Sequence, residues 1–146
     1  MKIWDLLEPY FKPSGTADNF GDAEEVSGLL LLAMWIVRTE TGWPIRIHNA
    51  YELGGHSKGS QHYLGNANDF HFITDTPFYK QIIKMEEILD RFQLTDFVGF
   101  GIYPYWNSPG FHLDTRSSKA RWGYNKKGEM RSYDEIKEEA WILHQS

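Results

Sequence analysis

The chain has 146 residues, a formal net charge of -5 and an isoelectric point of about 5.6. This length is typical of one domain, so we interpret residues 1–146 as a single domain. The Lys and Arg residues are scattered rather than gathered into a basic stripe, which argues against nucleic-acid binding. Cysteine is absent, so any bound metal must be held by His, Asp or Glu.

The ends and apolar runs of the sequence bear on where the protein acts. The longest apolar run, residues 29–37, is shorter than the roughly 18 residues of a membrane-spanning helix. Acidic residues interrupt residues 1–8 and no small-residue cleavage site follows, so we predict no secretory signal. The protein is therefore expected to stay in the cytoplasm of the cell that makes it until something releases it, and to be a monomer.

Apolar residues at helical spacing predict four helices. The first covers residues 3–11, and a long buried helix covers 23–41, with Asp22 as its N-cap and Gly42 as its C-cap. Residues 78–92 form an amphipathic pattern. Residues 132–144 predict a last helix, in which Ser132 and Glu135 have the spacing of a capping box.

Alternating apolar and polar residues predict the strands. Residues 44–50 and 66–72 alternate in this way, and a Gly-rich loop lies between them. Residues 97–103 and 110–115 predict two further strands joined by a turn. Because helices come first and the strands then group around one inserted helix, the order favours an α+β fold with a short antiparallel sheet.

Two segments carry the polar residues suited to chemistry. In the strand over 110–115, His112, Asp114 and Arg116 stand at alternate positions and so share one face. His62 ends a loop and Asp69 lies in the strand after it; their spacing leaves open whether they converge. If His112 is a metal ligand, Asp114 lies either beside the metal-bound water or behind a ligand that it orients. Alternatively, Asp114 serves only as the salt-bridge partner of Arg116 or Arg121.

These segments match a known motif. Ser60, His62, Gly65, Ala67 and Asp69 fit every fixed position of S-x-H-x-x-G-x-A-x-D, and His112 and Asp114 fit the later H-x-D strand. The chain resembles the zinc D-alanyl-D-alanine carboxypeptidase and L-alanyl-D-glutamate endopeptidase family, in particular its small phage and bacterial wall peptidases. The stretches F-K-P-S, F-G-I-Y-P, G-F-H-L-D-T-R and R-W-G extend the resemblance over most of the chain.

The resemblance implies a hedgehog-type fold, with a zinc cleft on one face of a short antiparallel sheet and helices on the other. It implies Zn²⁺ held by His62, Asp69 and His112, and hydrolysis of stem or cross-link peptides of peptidoglycan, as by a phage endolysin that reaches the wall after release. The bond cut, and whether the enzyme acts as carboxypeptidase or endopeptidase, stay open.

Further roles follow from the same resemblance. Asp114 is our prediction for the general base, with Glu52 as the alternative, and Arg116 is predicted to assist catalysis. The predicted substrate contacts are Ser60, His56 and Tyr103.

The sequence departs from the family at two places. Pro109 stands where many members have an acidic base three residues before the last histidine. Glu52 stands where relatives carry an oxyanion-binding arginine, so Arg46, Lys58 or Arg116 replaces it, or the activity is altered or lost. These departures keep two other hypotheses open: a non-catalytic zinc module that binds a wall peptide or a protein, and a purely structural protein without metal.

The remaining histidines have simpler interpretations. We interpret His48, His71 and His144 as ordinary core or surface residues, with His71 alternatively placed behind a metal ligand because it follows Asp69 by two positions.

Overall fold

The computed structural model describes residues 3–7, 10–11, 26–49 and 65–144. Within these ranges the chain forms helices and strands in the mixed order of an α+β protein, which confirms the predicted class. None of the described helices is long and apolar enough to cross a membrane. The helices are α1 (Ile3–Leu7), α2 (Gly28–Thr41), α3 (Phe78–Arg91) and α4 (Tyr133–Leu143). The strands are β1 (Ile45–Asn49), β2 (Ala67–Phe72), β3 (Gly99–Tyr103), β4 (Gly110–Asp114), β5 (Ala120–Tyr124) and β6 (Met130–Arg131).

Local capping residues set the ends of the helices. Ser27 caps α2, where its hydroxyl accepts a hydrogen bond from the Leu29 amide. The prediction that this helix starts at residue 23 with Asp22 as its cap was therefore wrong, because residues 26 and 27 are not helical; Asp22 itself lies outside the described residues. Gly42 ends α2 with a φ of 71°, a left-handed conformation that glycine adopts without steric cost. Ser132 caps α4 by accepting from the Glu135 amide, as predicted.

The sheet is mixed, so the prediction of a purely antiparallel sheet was wrong for one strand pair. The strand order is β1-β2-β4-β3-β5-β6, and β3 pairs with β5 in parallel while the other neighbours are antiparallel. The physical reason is that β2 and β3 already occupy both edges of β4. The chain after β4 therefore crosses the N-terminal end of β3, which lies beside the end of β4, and pairs with the edge of β3 that faces away from β4. In that position β5 runs in the same direction as β3.

The sequence pattern did not reveal β5 and β6. Strand β5 lacks a clean alternation because four of its five residues are half-buried and only Gly123 is buried. Strand β6 has two exposed residues, which pair with the end of β5 across a turn at residues 125–128. Neither strand presents the apolar-polar period on which strand prediction depends.

Residue alternation divides the sheet into two chemically different faces. One face is apolar and belongs to the same buried core as α2, α3 and α4. At its centre the Phe111 ring packs against neighbouring phenylalanine rings at centroid distances of 4.9 to 5.7 Å. Those rings are Phe70, Phe72, Phe78 and Phe100. The opposite face carries the polar residues of the same strands, which therefore lie on a well-packed support.

Candidate metal centre

The middle of the polar face gathers residues from three adjacent strands. Asp69 of β2 lies directly opposite His112 of β4, and Gly101 of β3 lies opposite His112 on the other side. Because directly paired residues have side chains on the same face, this register places the Asp69 carboxylate beside the His112 imidazole. The sheet thus brings together two of the three predicted metal ligands, although 43 positions separate them in sequence.

The contact between these two side chains has the length of a hydrogen bond and is slightly shorter than the separation of two ligand atoms on one metal ion. Asp69 Oδ1 lies 3.0 Å from His112 Nδ1. Two ligand atoms bound to one tetrahedral zinc ion at about 2.0–2.1 Å are roughly 3.3 Å apart, so a shift of a few tenths of an ångström would admit the ion. Imidazole nitrogen and carboxylate oxygen are both ordinary zinc ligands. The residues present therefore fit Zn²⁺ by chemistry and by spacing.

Asp114 holds the other side of the His112 ring. Its Oδ2 accepts a hydrogen bond of 2.7 Å from His112 Nε2, and the carboxylate is fully buried. The described residues donate four more hydrogen bonds to it, from the Gly99 amide and from the backbone, Nε and Nη2 of Arg116. With five donors around it, this carboxylate is fixed in place, and it fixes the orientation of the imidazole. A carboxylate behind a metal-binding histidine is a common way to aim the other ring nitrogen at the metal.

Electrostatics keep Asp114 ionised. Burial alone would raise the pKa of its carboxyl, but the hydrogen bonds and positive charge of Arg116, with those of His112, lower the pKa far below the usual value. Such a carboxylate is a weak proton acceptor near neutral pH. Of the options open at the sequence level, the geometry therefore favours the place behind a ligand for Asp114, while its predicted role as general base stays a prediction.

The His112 imidazole lies between two carboxylates. Burial alone would lower its pKa, but the hydrogen bonds to Asp114 and Asp69 outweigh burial and raise the pKa. The ring is 8% exposed, so its interactions with these groups are little weakened by solvent. A metal ion at Nδ1 would have to displace the proton that this arrangement stabilises there, so we infer that metal affinity depends on pH.

Arg116 donates its hydrogen bonds mainly to Asp114. Its Nε and Nη2 atoms donate to the two carboxylate oxygens at 2.8 and 2.7 Å, a bidentate pair. Its guanidinium also lies 5.2 Å from the centre of the Trp122 ring, within range of a cation–π interaction. The structure gives Arg116 a positioning contact, and its predicted catalytic role stays a prediction.

Two glycines make room for this network. A Cβ atom on Gly99 would overlap the Asp114 carboxylate, and a Cβ atom on Gly101 would lie 2.6 Å from Trp122 Nε1. Strand β3 therefore has no side chains at the two positions where Asp114 and Trp122 cross it. The Trp122 ring occupies this space, and its centre lies 4.9 Å from the centre of the His112 ring.

Tyr103, a predicted substrate contact, is the middle member of an aromatic stack on the same face. Its ring is stacked on Trp106 at 4.2 Å and on Tyr124 at 5.2 Å. Its hydroxyl accepts a 3.1 Å hydrogen bond from Trp122 Nε1. The rings of Tyr103, Trp106 and Tyr124 also line a recess of about 300 Å³.

A second pair of histidines lies on the same face. His48 Nε2 and His71 Nδ1 are 2.5 Å apart, and the His48 ring meets Trp106 edge-on at 5.7 Å. Burial, as the largest cause, lowers the pKa of both imidazoles. The interpretation of these residues as isolated core or surface histidines missed this pairing. The sequence held no signal for their contact, because it depends on the register between β1 and β2.

Several predicted site residues are outside the part of the chain that the structure describes. These are His62, Glu52, Ser60 and His56, so their predicted roles stay predictions. Among the described residues, no group of three or more His, Cys, Asp or Glu side chains could hold a metal ion. Asp69 and His112 are two of the predicted ligands, and the third, His62, is one of the residues that the structure does not describe.

Comparison with known proteins gives no family assignment: no family model matches the chain, and no curated protein or solved structure matches it either.

Proposed function

We propose that this protein is a zinc-dependent peptidase that hydrolyses peptide bonds in the stem or cross-link peptides of peptidoglycan. Two independent features support the proposal. The first is the resemblance of residues 60–69 and 110–116 to the wall peptidases described above. The second is that the sheet brings Asp69 and His112 into contact, as two ligands of one ion would be.

The orientation of His112 is the observation that carries the proposal. Its Nδ1 atom faces Asp69, while its Nε2 atom is held by a buried, ionised Asp114. A histidine that served only the packing of the sheet would not need a carboxylate on each side, since burying such groups is costly unless they are well paired. A metal site benefits from both carboxylates, one as ligand and one as the support of the ring.

The residues of this chain divide the work of the proposed reaction. Bound zinc would polarise the scissile carbonyl and lower the pKa of a coordinated water toward about 7. Asp69 and His112 would hold the ion together with His62. Asp114 and Arg116 would keep the His112 ring in place. Asp114 and Glu52 both stay candidates for the general base, and the hydrogen bonds and lowered pKa of Asp114 favour Glu52.

The recess lined by Tyr103 offers space for a part of the substrate that flanks the scissile bond. Its volume of about 300 Å³ is at the lower end of the range for small-molecule sites, and aromatic rings supply most of its wall. Lys126 also lines it and adds a positive charge, which would favour a carboxylate of the wall peptide. We therefore place the peptide chain flanking the scissile bond along Tyr103 and Trp106.

The test combines zinc analysis with digestion of purified bacterial wall. We expect about one zinc ion per chain, and release of new amino and carboxyl ends that stops with chelator and returns when zinc is restored. Mass spectrometry of the new ends would identify the bond. Zinc binding without turnover at high protein concentration would instead favour the non-catalytic module. A protein that stays metal-free when offered zinc would refute both hypotheses.

A further inference from the structure

The position of the Tyr103 ring is tightly determined. Trp106 stacks on one face at 4.2 Å with an interplanar angle of 14°, and Tyr124 stacks on the other at 5.2 Å with an angle of 15°. Stacked aromatic neighbours on both sides leave the ring little freedom to tilt. The hydroxyl at its end is therefore held at one place relative to the sheet.

That place is next to His112. Tyr103 lies two positions after Gly101 in β3, on the same face of the sheet, and Gly101 pairs directly with His112. The Tyr103 hydroxyl is 3.1 Å from Trp122 Nε1, and this nitrogen lies only 2.6 Å from where a Gly101 Cβ would be. The phenol thus points back along its strand, over the glycine opposite the proposed metal ligand.

The hydroxyl proton remains available in this arrangement. The indole N–H of Trp122 can only donate, so the Tyr103 oxygen is the acceptor, and its own proton is not used in that bond. Within the described ranges, the structure gives this hydroxyl no second hydrogen bond. Burial, followed by the negative charge of Asp69, raises the pKa of Tyr103 well above its ordinary value, so the proton is retained.

Amide hydrolysis needs a donor of this kind. Negative charge develops on the carbonyl oxygen as water attacks, and a fixed donor aimed at that oxygen stabilises the transition state. Arg116, which was predicted to assist catalysis, already directs Nε and Nη2 to Asp114. We infer that the Tyr103 hydroxyl is a catalytic residue that donates a hydrogen bond to the developing oxyanion of a peptide substrate. The proton stays on tyrosine throughout, so the residue is unchanged after turnover.

The inference rests on the proposed function, and the variant Tyr103→Phe tests it separately. This change keeps the stacked ring and removes only the hydroxyl. With the zinc-loaded protein on purified wall, we expect kcat to fall by about 100-fold or more, as for loss of one oxyanion donor. KM should stay within about twofold of the wild-type value, and the zinc content and denaturation midpoint should be unchanged. A purely structural role of Tyr103 would instead change those three quantities. Tyr79→Phe, in the ring that meets Trp141 on the helical side, is the matched control and should keep full activity.

A second variant examines the role of the indole. Trp122→Phe removes the N–H that orients the Tyr103 hydroxyl, so we expect a kcat loss smaller than that of Tyr103→Phe, and no additional loss when the two changes are combined. An active wild type whose kcat is preserved in Tyr103→Phe would overturn this inference and leave the proposed function standing. A zinc-loaded wild type without turnover would overturn both.

Discussion

Replacing His112 with Ala is expected to lower zinc affinity by at least about 100-fold, and wall hydrolysis is expected to fall to the level of the chelated wild type. Loss of a residue behind a metal ligand commonly costs 10–100-fold in affinity, and loss of the ligand itself should cost no less. The change also leaves the buried Asp114 without one of its hydrogen bonds. Zinc affinity is measured by competition with a coloured chelator, and hydrolysis by the appearance of new amino ends.

The matched control is His144→Ala. His144 follows α4, and its ring contacts the Pro104 carbonyl oxygen and the core residue Phe78 rather than the proposed ligands. We expect this variant to bind zinc and digest wall like the wild type. If His112→Ala kept full zinc affinity, the ion would have to bind at another place in the protein.

Asp114→Asn is expected to weaken both zinc binding and the fold. The substitution places an amide NH₂ group among five donors, so Arg116 loses its bidentate ion pair and the His112 ring loses its fixed orientation. We expect a loss of about 10–100-fold in zinc affinity, and a decrease of about 3 kcal/mol in the free energy of unfolding because a buried charge pair is broken. Urea denaturation and zinc titration of the same samples would measure the two effects.

These two readouts also separate the roles proposed for Asp114. If Asp114 were the general base, Asp114→Asn would lose kcat while zinc affinity and stability stayed near those of the wild type. The control is Glu87→Gln on the exposed side of α3, where the only ion pair that the structure describes is a 3.8 Å contact with Lys84. We expect no measurable change in this control, because exposed pairs contribute little.

The sequence predicted those elements whose residues alternate or recur clearly. The apolar residues of α3 and the alternation of Phe70 and Phe72 with Asp69 indicated both the element and the face. Ser132 could be identified as a cap because the amide whose hydrogen bond it accepts, that of Glu135, is only three residues away. Short-range signals of this kind are contained in the local sequence, so no knowledge of the fold is needed.

Long-range pairing could not be predicted in the same way. The parallel placement of β5 follows from which strand edges are occupied, and that depends on the whole sheet. The roles of Gly99 and Gly101 become visible only when Asp114 and Trp122 are seen crossing β3. The alternation in the last strand did indicate that His112, Asp114 and Arg116 share a face, and four of the five donors to Asp114 come from these two neighbours. The fifth, the Gly99 amide, lies on another strand, and the pattern does not encode its approach.

The most direct test of the central claim is a crystal structure of the zinc-soaked protein, with anomalous differences recorded on both sides of the zinc absorption edge. If the claim holds, one strong peak will appear at about 2.1 Å from the imidazole Nδ1 of residue 112 and from a carboxylate oxygen of residue 69, with an open position for solvent. An absent peak, or one located away from the polar face while the direct contact between those two side chains persists, would contradict it.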